Sequence, residues 1–255
     1  MDVLVGVGHE DGVATLHLDD PDHRNVLSFE MSESIADGVA DALGQDARAI
    51  VLTAAAPDFC SGGSLEGLLD RTRPLADTYR GYLALAGCPV PTVAVVTGRA
   101  LGAGVNLALA CDVIIAGESA RFDPRFLDVG IHPGGGHLRR LIDRVGHQGA
   151  AALSLFGDAL SGAEAAARGL AWRCVPDEEA IPTALAMAAK AAGRDAGLVR
   201  RAKESLRASA WVGSGDAAIA LELEAQQWSV DRPEFADAVR AMRASLEARR
   251  AARPS

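Results

Sequence analysis

Through the first half of the chain, short apolar runs alternate with helix-like segments and are joined by turns of small residues. Val13, Thr15, His17 and Asp19 interleave with Ala14, Leu16 and Leu18, the period-two pattern of a half-buried strand. With residues 2–8 and 12–19 flanking Asp11-Gly12, this stretch predicts a β-hairpin. Asp20 to Asn25 is a polar loop. Ser28 then caps a predicted helix carrying Met31, Ile35, Val39 and Leu43 at four-residue spacing, closed by Gly44. Ala49–Thr53, Pro91–Thr97 and Asp112–Ala116 read as buried strands. A helical stretch over 65–86, weakened around Arg71 to Pro74, and a helix reaching Ala110 lie between them. Strands that alternate with helices in this way predict an α/β domain.

The second half is different. After Gly130 the pattern is helical apart from a short strand over Ala171–Val175, and Ser161-Gly162-Ala163-Glu164 has the form of a capping box. Segments 177–192, 195–210, 214–229 and 231–249 are Ala-rich and amphipathic, which places a boundary near residue 195: a core over 1–195 and a helical region over 196–255. A chain of 255 residues with 49% apolar side chains buries a core without disulfide or metal staples. Its net charge of −9 offers no basic field to nucleic acid or to an anionic membrane. Cys60, Cys88, Cys111 and Cys174 have neither CxxC nor zinc spacing, which suits reduced thiols in a cytoplasmic protein. Asp2, His9, Glu10 and Asp11 replace the basic, apolar start of a secretory signal. Gly87, Pro89 and Pro91 break the uncharged run over Gly81–Gly98, so no membrane insertion is expected.

Two small-residue turns lie between a strand and a helix: Ser61-Gly62-Gly63-Ser64-Leu65, and Gly98 to Gly104 leading into Val105-Asn106. Such residues let a ligand approach backbone N–H groups, and a helix N-terminus adds partial positive charge. Two of them together have the ingredients of an oxyanion hole. Neither is GxGxxG or a Walker loop, and Gly134-Gly135-Gly136 after Pro133 reads as the start of a helix.

In order and spacing these segments resemble the crotonase, or enoyl-CoA hydratase/isomerase, family. The matching pieces are Arg24-Asn25-Val26-Leu27, Phe59 to Leu65, Gly98 to Leu107 and Cys111-Asp112. Ala120-Arg121-Phe122, Gly130 to Gly136 and Gly157 to Pro176 complete them. The resemblance implies a spiral of ββα units with C-terminal helices that assemble a homotrimer or hexamer. It implies binding of acyl-CoA thioesters, with coenzyme A entering as part of the substrate and no other cofactor. It also implies stabilisation of a thioester oxyanion or enolate by two backbone N–H groups, here Gly63 and Ala103. Arg24, Val26 and Leu27 fall where the family meets the CoA phosphates and adenine. Ser61, Gly62, Ser64, Leu65, Gly102 and His132 fall along the substrate path.

The chain departs from the family at its two glutamates. One family glutamate follows the second glycine turn, where this chain has Asn106. The other lies four residues before the glycine matching Gly130, where it has Phe126. Asn106 can hydrogen-bond but is no base near neutral pH, and Phe126 can do neither. Asp123, three residues before Phe126, would share its face on a helix, or would cap a helix before Pro124; it is the first substitute to consider. Asp128, Glu66 and His132 are the others, and His137 ranks behind them. Two functions stay open: a crotonase-type lyase or isomerase with non-standard or weak catalysis, and a non-catalytic acyl-CoA binder or carrier in fatty acid metabolism. A purely structural trimer subunit is a weaker third.

Overall fold

The computed structural model describes residues 4–69 and 73–251. In chain order the first elements are β1 (Val5–Glu10), β2 (Val13–Leu18), α1 (Phe29–Gly44) and β3 (Ala49–Ala54). α2 (Leu65–Leu69), α3 (Arg80–Gly87), β4 (Thr92–Val96), β5 (Arg99–Leu101) and α4 (Ala103–Ala110) follow. Then come β6 (Val113–Gly117), β7 (Arg121–Asp123), α5 (His137–Leu155), β8 (Leu160–Ser161), α6 (Gly162–Ala167), β9 (Arg173–Val175) and α7 (Asp177–Ala192). α8 (Ala196–Ser209), α9 (Gly215–Val230) and α10 (Pro233–Ala251) close the chain.

Six strands form one sheet in the order β1-β2-β3-β4-β6-β9. The β1–β2 hairpin is antiparallel and the remaining pairs are parallel. Alternation along the strands sorts their side chains onto two faces. Leu16, Ile50, Leu52, Ala94 and Ile114 join one apolar cluster with Ile35 and Val39 of α1 and Leu85 of α3. Val13, Val51, Val93, Val95 and Ile115 join the other, against Ala180, Ala184, Ala188 and Ala192 of α7. Alanine every fourth residue gives α7 a flat stripe that lets its axis lie close to the sheet. Each fully buried Ile or Leu in these layers contributes roughly 1.5–3 kcal/mol. The expected caps are present: Ser28 accepts from the Met31 N–H, and Ser161 and Glu164 form the reciprocal capping box. Each such N-cap contributes typically ~1 kcal/mol.

A second sheet, β5-β7-β8, is absent from the sequence reading, which treated Gly98 to Gly104 as turn. Its strands are two or three residues long, too short to show a period; pairing with β7 makes a strand of β5. This sheet positions the two small-residue turns. The Cys60 N–H donates to the Arg99 carbonyl at 3.1 Å, and the Leu101 N–H to the Cys60 carbonyl at 3.0 Å. The Gly102 N–H donates to the Asp123 carbonyl at 2.8 Å. The expected helix over 65–86 is instead α2, a 3-10 segment Leu75–Tyr79, and α3. Of its weak point, Arg71 and Thr72 lie outside the described residues.

The chain divides into two compact units, one ending at Ala196 and one beginning at Gly197. Within the second unit Arg201 reaches Glu224 and lies over the Trp228 ring. Leu223, Trp228, Phe235, Val239, Met242 and Leu246 are exposed on this chain. No described helix is long and apolar enough to cross a membrane.

Candidate functional site

The first small-residue turn runs beside the loop that follows β2. The Leu27 N–H donates to the Gly62 carbonyl at 2.7 Å, and the Ser64 N–H donates to the Leu27 carbonyl at 3.2 Å. In that parallel bridge the N–H of Gly63 points away from Leu27. The second turn leads into α4, with Gly102 as N-cap and Ala103 as first helical residue, so the Ala103 N–H is one of the donors a helix leaves unpaired. Gly62 has φ of +104° and Gly102 has φ of +49°, conformations that side chains resist. A Cβ on Gly104 would lie 2.5 Å from the Cys60 carbonyl oxygen, so α4 is pressed directly onto the first turn. Residues 63 and 103 are neighbours: a Cβ on Gly63 would lie 3.9 Å from that of Ala103.

Both turns open onto a mostly apolar cavity of about 290 Å³. Leu27, Ser61, Gly62, Gly63, Ser64, Leu65, Gly102, Ala103, Asn106, Phe126 and His132 all line it, so most of the expected site residues meet there. Asn106 is buried and sits one helical turn beyond Ala103. Its Nδ2 donates to the Gly134 carbonyl at 3.3 Å, and its Oδ1 lies 2.6 Å from His137 Nδ1. His137 is fully buried, packs edge-on to Phe126 with ring centroids 4.9 Å apart, and has no partner for Nε2 among the described residues. Burial, helped by nearby Arg140, pushes the His137 imidazole down to about 4, so the ring is neutral at physiological pH. Burial also drives the Tyr82 hydroxyl upward and leaves it protonated.

Several expected residues stand elsewhere. Asp123 ends β7; it neither caps a helix nor shares a helical face with Phe126, because residues 124 and 125 are irregular, Arg125 at a φ of +32°, and a 3-10 segment starts only at Leu127. The pairing of β7 with β5 overrode the helix propensity inferred there. The Asp123 carboxylate is bound by its neighbour Arg125, at 2.6 Å from Nη2, and does not line the cavity. Glu66 on α2 and Asp128 on the 3-10 segment are exposed and outside the lining. His132 lines the cavity but is exposed, with Nδ1 2.7 Å from the Pro133 carbonyl. Val26 and Arg24 do not line it. The Arg24 guanidinium is exposed and 3.7 Å from Asp58, whose carboxylate is already held by Arg99 at 2.8 and 2.9 Å. Burial works to raise the Asp58 carboxyl, yet the hydrogen bonds and charge of Arg99, with Arg24 behind them, hold it below its usual range. Asn25 holds the loop: it donates to the Ala55 and Asp58 carbonyls and accepts from the Asp20 N–H.

The sequence reading missed Phe29, Leu75, Thr78, Tyr79, Tyr82 and Ile131 on the cavity wall and undervalued His137. The glycine run held a signal for two of these: a Cβ at Gly134 would strike the Tyr79 hydroxyl at 2.3 Å, and one at Gly135 the Tyr82 hydroxyl at 1.3 Å. Among the described lining residues there is no Asp or Glu, and no described cluster of His, Cys, Asp and Glu has metal-binding spacing.

Known proteins share this fold. The enoyl-CoA hydratase/isomerase family model matches residues 8–251. The Mycobacterium tuberculosis (strain H37Rv) protein named "Probable enoyl-CoA hydratase EchA14" is 41% identical over 235 residues, 88% of this chain and 91% of that one. The 2,3-dehydroadipyl-CoA hydratase of Escherichia coli K12 is 33% identical over 207 residues, 80% of this chain and 81% of its own. Among solved structures, an enoyl-CoA hydratase of Mycobacterium smegmatis superposes with a TM-score of 0.86 at 26% identity, covering 95% of this chain and 96% of that one. From its first hairpin to its last helix, this chain belongs to the enoyl-CoA hydratase/isomerase family and has the crotonase fold.

Proposed function

We propose that the cavity binds an acyl-CoA thioester with its carbonyl oxygen between the N–H groups of Gly63 and Ala103, and that it performs no ordinary hydration. The observation that carries this reading is the pairing of two backbone donors with a cavity whose described lining has no carboxylate. Two N–H groups aimed at one oxygen stabilise the negative charge that develops when a thioester enolises, in a site where little water competes. Hydration needs more: a group that takes a proton from water and one that delivers a proton to the α-carbon. Asn106 holds no exchangeable charge near neutrality, and Phe126 offers only a ring. Enolate stabilisation by itself suits a lyase reaction in which a carbon–carbon bond to the α-carbon breaks and leaves the enolate behind, as in decarboxylation, where carbon dioxide departs and solvent supplies the proton, with no cofactor beyond the coenzyme A of the substrate. Arg24 reaches the CoA phosphates. Asp58, its neighbour, is already satisfied by Arg99, which leaves Arg24 donors free.

The second reading, a non-catalytic acyl-CoA binder, draws on the same missing carboxylates. One experiment separates the two: a panel of acyl-CoAs is scored by calorimetry for binding and by mass spectrometry for turnover. Binding with a new product supports the enzyme, binding without any product supports the carrier, and no binding of any member overturns both. The exposed apolar positions of α9 and α10 support assembly into a homotrimer or a pair of trimers. A monomer at micromolar concentration in the ultracentrifuge overturns that assembly. Four cysteines outside any disulfide, three of them buried, fit a cytoplasmic setting.

A further inference from the structure

We propose that the cavity selects aromatic acyl groups: its substrates are CoA thioesters whose acyl chain ends in an aryl ring, and that ring is gripped by four aromatic side chains of the wall. This inference rests on the acyl-CoA reading above and deepens it by naming the substrate class.

Aromatic residues make up only 4% of the chain, which has two tyrosines and six phenylalanines. Both tyrosines and two of the phenylalanines, Phe29 and Phe126, line this one cavity. They come from three separate places. Phe29 opens α1, Tyr79 and Tyr82 stand one turn apart at the start of α3, and Phe126 follows β7. Bare glycine backbone admits the two tyrosines: a Cβ at Gly134 or at Gly135 would strike their hydroxyls.

Each ring is fixed before a ligand arrives. The Arg73 guanidinium lies 4.4 Å from the centroid of Phe29, and that of Arg140 lies 5.5 Å from the centroid of Tyr82. His137 packs edge-on to Phe126, and the Tyr79 and Tyr82 centroids are 5.4 Å apart at 45°. Arg73, Arg140 and His137 do not line the cavity, so they brace the rings from behind and leave the cavity side to the ligand. Rings held in this way have little rotamer freedom left to lose on binding. An aryl group gains edge-to-face or offset contacts with them, beyond the apolar area it buries. A flexible alkyl chain gains the area alone and gives up its own torsional freedom. The size also fits. An apolar cavity of about 150 Å³ suffices for benzene, and the volume of about 290 Å³ leaves room for a ring with a short linker to the thioester.

The probes are 3-phenylpropanoyl-CoA and 3-cyclohexylpropanoyl-CoA, which share one carbon skeleton and differ only in the aromaticity of the ring. Both are titrated calorimetrically into the full-length protein. The cyclohexyl ring is the larger and more apolar of the two, so a cavity that senses apolar area alone binds it at least as tightly. The wild type should instead bind the phenyl compound about threefold to tenfold more tightly, the range for one aromatic pair. Tyr79→Leu and Phe126→Leu, at two half-buried positions, should each lower that ratio toward one while both ligands still bind. Tyr79→Phe keeps the ring and should keep the preference. Rings that only shape the wall would, when replaced, weaken both ligands together and leave the ratio alone. A wild type that binds the two equally or prefers cyclohexyl, or a ratio unchanged by both leucine variants, overturns the inference and leaves acyl-CoA binding intact. If neither leucine variant folds, the wild-type ratio decides. Failure of the wild type to bind either ligand overturns the acyl-CoA reading and this inference with it.

Discussion

Two walls of one cavity are built on different chemistry. At Gly63 and Ala103 the proposed oxyanion donors are backbone N–H groups, whose direction is set by a strand bridge and a helix start. At Asn106 and Phe126 the lining groups are side chains, braced from behind by His137 through a hydrogen bond to Asn106 and an edge-on ring contact with Phe126. Substitution can erase the second kind of wall without touching the first. Under the proposed function, that is how this chain would keep two donors for a thioester oxygen with Asn106 and Phe126 standing where proton-transfer groups are expected.

The sharpest way to break this contrast is to put the carboxylates back. Wild type should hydrate crotonyl-CoA poorly, and Asn106→Glu combined with Phe126→Glu should raise the rate by roughly 10²–10⁴-fold, with either single change doing much less. Loss of enoyl absorbance is the assay. A wild type already working at ordinary hydratase rates would show that some other group does the acid–base work and that the two walls are not independent.

The backbone wall can be tested on the same background. Ala103→Pro deletes one N–H at the first position of α4, where proline fits the helix. In the double-glutamate variant it should cost about 10²–10³ in turnover, as loss of one oxyanion donor does. Retained turnover would move the carbonyl site away from Ala103.

The side-chain wall has its own signature in stability. Unfolded, His137 takes up a proton near 6.5; in the folded protein burial, and after it Arg140, delay this until about 4. Below pH 6.5 the unfolded state therefore binds more protons, and stability drops as pH falls, with the loss complete near pH 4 and amounting to about 3 kcal/mol. Urea midpoints across that window should be flatter in His137→Phe than in wild type. Parallel curves would mean that the imidazole is accessible and the wall is open.

The smallest effect is expected at the rim. Arg24→Ala should weaken acyl-CoA binding by roughly 1–3 kcal/mol, the scale of a lost charged hydrogen bond, without altering binding of the acyl pantetheine fragment. Equal affinity for intact CoA thioesters would remove Arg24 from the site.

Several elements were legible because their signals are local. The β1–β2 hairpin follows from period-two alternation around Asp11-Gly12, the start of α1 from Ser28, and the two small-residue turns from glycines that alone adopt the backbone they need. The family order of motifs pointed to Gly63, Ala103, Asn106 and Phe126, and all four line one cavity. Other features had no local signal. β5, β7 and β8 are too short for a period, so Asp123 was read as helical or as a helix cap when cross-strand pairing makes it the end of β7. The Asn106–His137 bond joins residues 31 positions apart, and its partner choice depends on where the Gly134 carbonyl falls. What the chain determined by itself was therefore the kind of backbone available at each turn and the face each helix would bury, since both are set by neighbours within a few residues. The tertiary structure alone decided which polar side chains meet, because a hydrogen bond between distant residues exists only once packing has brought donor and acceptor within about 3 Å and excluded the water that would otherwise satisfy each of them.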